Sequence, residues 1–193
     1  MSTESLLSIL VGIGLSAACG FRVFVPLLIM SVASHSGQMT LSEGFQWIGS
    51  FPALLAFAIA TVLEVLGYYI PWVDHLLDLV ATPASVIAGI LVMASAVSGM
   101  SPFLRWSVAI IAGGGIAATV QTLTAVTRVA STATTGGLSN PAVATAELGI
   151  SAFLSAVAIL LPLVAIAALV VVFYFIGRRY FKARAPRPSA KIP

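Results

Sequence analysis

From Ala142 to Ile176 the chain carries one charged residue, Glu147, and one proline, Pro162. That run exceeds the roughly 20 apolar residues that one helix needs to cross a bilayer, and it cannot be a soluble surface. A kink at Pro162 is expected, or else first turns around Glu147 that stay out of the hydrocarbon. The rest of the chain agrees: 60 % of its residues are hydrophobic and 8 % charged, against about 25 % charged in soluble domains. The sequence predicts an all-α polytopic transmembrane helix bundle of about five spans with broken or re-entrant polar segments. Residues 1–177 form its single transmembrane domain, and 178–193 a basic tail, disordered beyond Ala185.

Six of the nine basic residues lie between Arg178 and Lys191. This is an orientation signal and not a nucleic-acid footprint; the positive-inside rule puts the tail in the cytoplasm. Counting back over five spans puts the N-terminus outside, and the polar stretches 72–82 and 131–141 together on the outer side. Cys19 is the only cysteine, so no intrachain disulfide exists; among alanines and glycines it reads as a small packing residue.

In chain order, residues 5–33 are expected as one helix, with small residues for close packing and Arg22 facing the protein interior. A second helix runs from Pro52 to about Ile70 and puts Glu64 and Tyr68 on one face by i, i+4 spacing. Trp72–Thr82 reads as a half-helix whose Asp74, His75 and Asp78 share a stripe, with Pro83 opening a third helix. The fourth holds Gly113-Gly114-Gly115; no strand precedes the triplet and no Lys-Ser/Thr follows, so it is packing and not a phosphate loop. The second half of this helix turns polar, with Gln121, Thr124 and Arg128 on one face.

Arg128 to Pro141 is the most unusual stretch. Thr132, Thr134, Thr135, Gly136-Gly137 and Asn140-Pro141 make it hydroxyl-rich and kinked, and it is expected as a re-entrant or broken segment lining a polar site. The alternative is a short connector, since glycine and Asn-Pro mark any turn. Ala60-Thr61-Val62 recurs as Ala118-Thr119-Val120, and Pro83-Ala84 as Pro141-Ala142, a faint internal repeat of the kind that points to transporter sites.

The interior charges are Arg22, Glu64, Asp74, Asp78, Arg128 and Glu147, four acids against two bases. In hydrocarbon they should meet one another or water, and the acidic excess suits a cation or proton path. Asp74, His75 and Asp78 are weak candidates for a divalent metal, with no second cluster beside them, and no cofactor is expected. Neither G-x-S-x-G nor H-E-x-x-H occurs, so an intramembrane enzyme built on His75 and a hydroxyl stands third.

Several stretches are similar to one bacterial membrane-protein family: Gly-Leu-Ser-Ala-Ala-Cys-Gly-Phe-Arg-Val-Phe-Val-Pro-Leu-Leu (14–28), Tyr-Tyr-Ile-Pro-Trp-Val-Asp (68–74), Leu-Asp-Leu-Val-Ala-Thr-Pro (77–83), Arg-Trp-Ser-Val-Ala-Ile-Ile-Ala-Gly-Gly-Gly (105–115) and Ser-Thr-Ala-Thr-Thr-Gly-Gly-Leu-Ser-Asn-Pro (131–141). The chain resembles the family of domain of unknown function 4126 over most of residues 5–175. The resemblance implies a small multi-span protein of the bacterial inner membrane and brings no catalytic residues with it.

The expected function is a small transporter or channel for a solute or ion, with the bilayer and that solute as partners. Its pathway residues are Arg22, Glu64, Tyr68, Asp74, His75, Asp78, Gln121, Thr124, Arg128, Thr132, Thr134, Thr135, Asn140 and Glu147. A unit of five helices is small, so a homo-oligomer enclosing the pathway belongs to the expectation. The alternative is a structural or lipid-handling protein whose buried charges only fix helix packing.

Overall fold

In a computed structural model of the chain, residues 3–184 are described, and among them every regular element is helical. Seven helices follow in order: α1 (Thr3–Cys19), α2 (Phe24–His35), α3 (Phe51–Gly67), α4 (Pro71–Ala96), α5 (Pro102–Thr135), α6 (Asn140–Leu160) and α7 (Pro162–Arg184). Three stretches are long and apolar enough to cross a membrane by length and composition: Leu76–Ala96, Pro102–Thr135 and Asn140–Leu160. The bundle has two ends. At the turn end lie the tight turns between α3 and α4 and between α5 and α6; at the loop end lies the 36–50 connection.

The expected first helix, 5–33, is two helices that double back. α1 runs from the loop end antiparallel to α4: Gly12 faces Met93 and Ala96, and farther in the Ser16 hydroxyl donates to the Gly89 carbonyl at 2.9 Å. The chain breaks at residues 20–23, and α2 then returns. The Ser31 hydroxyl donates to the Ile48 carbonyl at 2.6 Å, and the Ser42 amide to the Ser95 carbonyl at 2.9 Å, back at the loop end. This α1–α2 hairpin is the re-entrant element of the fold. Its inner face is made of small residues: a Cβ on Gly20 would stand 2.8 Å from the Ala117 carbonyl oxygen. Such surfaces let backbones approach where apolar burial alone gives no drive.

The stretch 128–141 is not re-entrant. α5 continues as helix to Thr135, and Gly136 closes it in the left-handed conformation, φ +64°, as helix C-termini commonly do. Gly137 follows at φ +88°, and α6 starts at Asn140 with Pro141 in its first turn. A tight turn, flanked by hydroxyl-bearing helix ends, replaces the loop.

Pro83 likewise opens no helix, because α4 runs through it. Membrane helices tolerate an interior proline; the carbonyl that Pro83 leaves without its intrahelical donor is that of Leu79, four residues before it. Pro83 is thus mid-helix while Pro141 starts one, so the two do not correspond as repeats. Gly113 and Gly114, two of the glycine triplet, pack α5 on α4. A Cβ on Gly113 would lie 2.6 Å from the Gly89 carbonyl oxygen, and the helix widens to a π-turn over Ala109–Gly114 to admit the contact.

Where a kink was expected at Pro162 the helix breaks outright, between Leu160 and Pro162, and the chain reverses. Ala158 and Ala165 both face Gly14, while Ile150 lines the same cleft as Leu169 and Phe173. α7 therefore runs back to the turn end. This corrects the expected arrangement: the two turns and the C-terminal end of α7 share one end of the bundle. α7 also includes 178–184, so the basic segment begins as helix; residues 185–193, where disorder was expected, lie outside the described residues.

Candidate functional site

The hairpin break, α3, α4, α5 and α6 converge on one buried cluster of charges. Arg128, about two turns before the end of α5 at Thr135, is 4 % exposed. Its Nε donates to Oε1 of Glu147 at 3.1 Å, and its Nη2 donates to Oε2 of the same carboxylate. This is the two-bond fork that makes Arg–carboxylate pairs strong and directional. The Nη1 donates to Oδ1 of Asp74 at 2.7 Å and lies 3.3 Å from Oδ1 of Asp78. Asp74 sits in the first turn of α4, where the helix dipole favours an anion, and Asp78 follows one turn later on the same face. Their cation is the arginine, and among the described residues no group of three metal-ligating side chains is assembled.

Arg22 enters from the hairpin break at 2 % exposure. Its Nη2 donates to the Ala144 carbonyl at 2.8 Å and lies 3.4 Å from Oε2 of Glu147. Its Nε and Nη1 have no hydrogen-bond partner among the described residues. Both guanidiniums lie over the Tyr68 ring, Arg22 at 3.9 Å and Arg128 at 4.1 Å from its centroid. Cation–π attraction of this kind strengthens when the groups leave water.

Glu64 has a separate task. Its Oε1 accepts the Val23 amide at 2.8 Å and its Oε2 the Phe24 amide at 3.1 Å, so one carboxylate caps the start of α2 inside the bundle. The first amides of a helix have no intrahelical partner and attract anions. The carbonyls of the break are answered too. Ser151 donates to the Ala18 carbonyl at 3.0 Å, and the Thr124 hydroxyl, whose proton goes to the Gln121 carbonyl, lies 3.5 Å from that of Gly20. Irregular backbone at this depth is viable because protein satisfies it.

A polar chain links the cluster to the turn end. The Asn140 amide nitrogen donates to Oδ2 of Asp74 and to the Thr132 hydroxyl, both at 3.2 Å. The Ser131 hydroxyl reaches Asn140 Oδ1 at 2.7 Å and Ser139 Oγ at 2.8 Å. A pocket of about 150 Å³ opens here, lined by Tyr68, Asp74, Thr132 and Asn140 with the Gly136-Gly137 turn. Two apolar clefts flank the cluster from the side, one of about 540 Å³ reaching Glu147 and one of about 320 Å³ reaching Glu64.

Residues 9–182 match the family described as Domain of unknown function (DUF4126). The chain belongs to that family. No curated protein and no solved structure matches it.

In this DUF4126 protein the fold joins Arg22, Tyr68, Asp74, Asp78, Arg128, Thr132, Asn140 and Glu147, with Glu64 at the hairpin break. Gln121 and Thr124 are buried one to two turns deeper, beside Gly20. Thr134 and Thr135 are exposed, outside the cluster; Thr134 bonds back into its own helix, and Thr135 also meets Ser139 Oγ at 2.9 Å, at the outer end of the polar chain. The side chain of His75 lies outside the described residues, so neither its metal role nor its enzymatic one has a geometry. Ser131 and Ser139 belong to the polar chain and were missed, although Ser131 stands i+3 from Arg128 and hence on its face. The Ala144 carbonyl and the Val23 and Phe24 amides had no signal at all, because backbone partners are chosen by the fold.

Proposed function

We propose that this protein is a small transporter of the bacterial inner membrane, moving a small polar solute or ion through the cluster around Arg128. The observation that carries the reading is the re-entrant hairpin whose break lands on buried charges, with a polar pocket reaching Asp74 from the turn end. Broken helices at bilayer depth are how carriers present helix ends to substrates and coupling ions. Four acids against two bases leave an acidic excess that suits a cation or a proton as one of the species moved. By the positive-inside rule, the C-terminal end of α7 lies in the cytoplasm, and the pocket at the same end opens there. No catalytic role is assigned to any residue.

The test is flux into proteoliposomes over a panel of cations, proton-coupled amino acids and small polar solutes. A solute that enters protein-bearing vesicles above empty ones, and whose flux falls at least about tenfold in Asp74→Asn with the fold retained, supports the reading. Folded protein that moves nothing in the panel would return the charges to a purely structural role.

A further inference from the structure

The larger apolar cleft, about 540 Å³, opens sideways between α5, α6 and α7 and ends on Glu147. Its volume is within the roughly 300–1,000 Å³ of small-molecule sites, which are typically apolar with a few placed polar groups. Phe21, Ile150, Val172 and Phe173 are among its apolar lining; Thr124, Thr127 and Glu147 bring the polar groups. Both hydroxyl protons are already spent inside the protein, Thr124 on the Gln121 carbonyl at 2.9 Å and Thr127 on the Leu123 carbonyl at 2.9 Å. What these side chains offer the cleft is therefore acceptors alone, the hydroxyl lone pairs and a carboxylate whose Oε1 takes a single bond from Arg128. Two phenylalanines, Phe21 and Phe173, line it as well, and aromatic rings attract cations.

We infer that this cleft binds a hydrophobic cation, an amine or onium with an apolar body, with Glu147 as its counter-charge. An anion would find no donor among those side chains. Arg128 and Arg22 both pair with Glu147, yet Asp74, Asp78 and Glu147, with Glu64 at the hairpin break, outnumber the two bases, so an added cation offsets the excess. The site adds a substrate class to the transport reading and rests on that reading for its purpose. Because it is measured as equilibrium binding, its failure leaves solute flux untouched, and absence of flux leaves binding intact.

The experiment places the full chain in nanodiscs of zwitterionic lipid and measures uptake of labelled tetraphenylphosphonium against empty discs. Tetraphenylborate, the same shape with opposite charge, is the comparison. The expected result is saturable one-site binding of the phosphonium, at least about tenfold tighter than the borate. Ile150→Trp, which fills the cleft without touching the ion pairs, weakens it about tenfold, while Val62→Trp on the exposed face of α3 does not. If Ile150→Trp does not fold, Val172→Phe gives the same readout. Uptake equal for both ions would mark a groove for bilayer acyl chains and overturn the inference. So would the absence of saturable binding, or binding that ignores both cleft-filling variants.

Discussion

Replacing Arg128 by alanine should be among the most destabilising single changes in this protein. The guanidinium is 4 % exposed, and its carboxylate partners Asp74 and Glu147 are 3 % and 5 % exposed. Its removal leaves two buried carboxylates without their main donor, and Asp78, 3.3 Å away, loses it as well. Stripping one partner from a buried ion pair costs about 3–5 kcal/mol. With two carboxylates stranded, the loss belongs at the upper end of that range, a large part of the ~5–15 kcal/mol that holds a typical domain folded. Arg128→Lys keeps the charge but loses the fork on Glu147, so it should fall between wild type and alanine. The decisive comparison is Arg128→Met with Glu147→Gln, alone and together. The double variant removes one positive and one negative charge and should recover about 1–3 kcal/mol relative to the sum of the singles. Equilibrium unfolding in mixed micelles, with helix content followed by circular dichroism against detergent ratio, gives each corner of the cycle. Arg128→Ala within about 1 kcal/mol of wild type, or single losses that simply add, would refute a shared buried cluster.

Glu64→Ala should loosen the hairpin locally, because the Val23 and Phe24 amides lose their acceptor; about 1–3 kcal/mol is at stake. Hydrogen exchange at residues 20–26 should quicken, whereas Glu64→Gln, which keeps one acceptor oxygen, should show a smaller change. Gly113→Ala should lower the melting temperature, because its Cβ meets the Gly89 carbonyl at 2.6 Å; Gly115→Ala, facing open space, should be neutral or raise it. The helix propensity gain at Gly115 is about 1 kcal/mol, and equal melting shifts for the two would remove the close crossing of α4 and α5. Single cysteines at Tyr69, Leu138 and Tyr174 should label from one side of oriented vesicles and those at Gly37 and Ser101 from the other. Native Cys19 is fully buried and gives no background. Opposite-side labelling of Leu138 and the residues of α7 would overturn the return of α7 to the turn end.

The sequence by itself determined the solvent and the all-helical class. So few charges over so much apolar chain leave only helices to satisfy the backbone in a bilayer. The glycines at 136 and 137, Pro52 and Pro162 marked ends that the structure keeps. It also implied that Arg128 meets carboxylates, because an unpaired guanidinium at that depth is too costly. Direction was another matter. Hydropathy records that a segment leaves water and says nothing of which way it runs, so residues 5–33 read as one span and 142–176 as one kinked span. Tertiary contacts decided both. Small residues seat α1 on α4 at Gly12 and on α5 at Gly20, and Glu64, 41 positions beyond Val23 near the end of α3, caps the returning α2. Only the folded bundle brings that carboxylate to those two amides, and with them it chooses where the chain turns back.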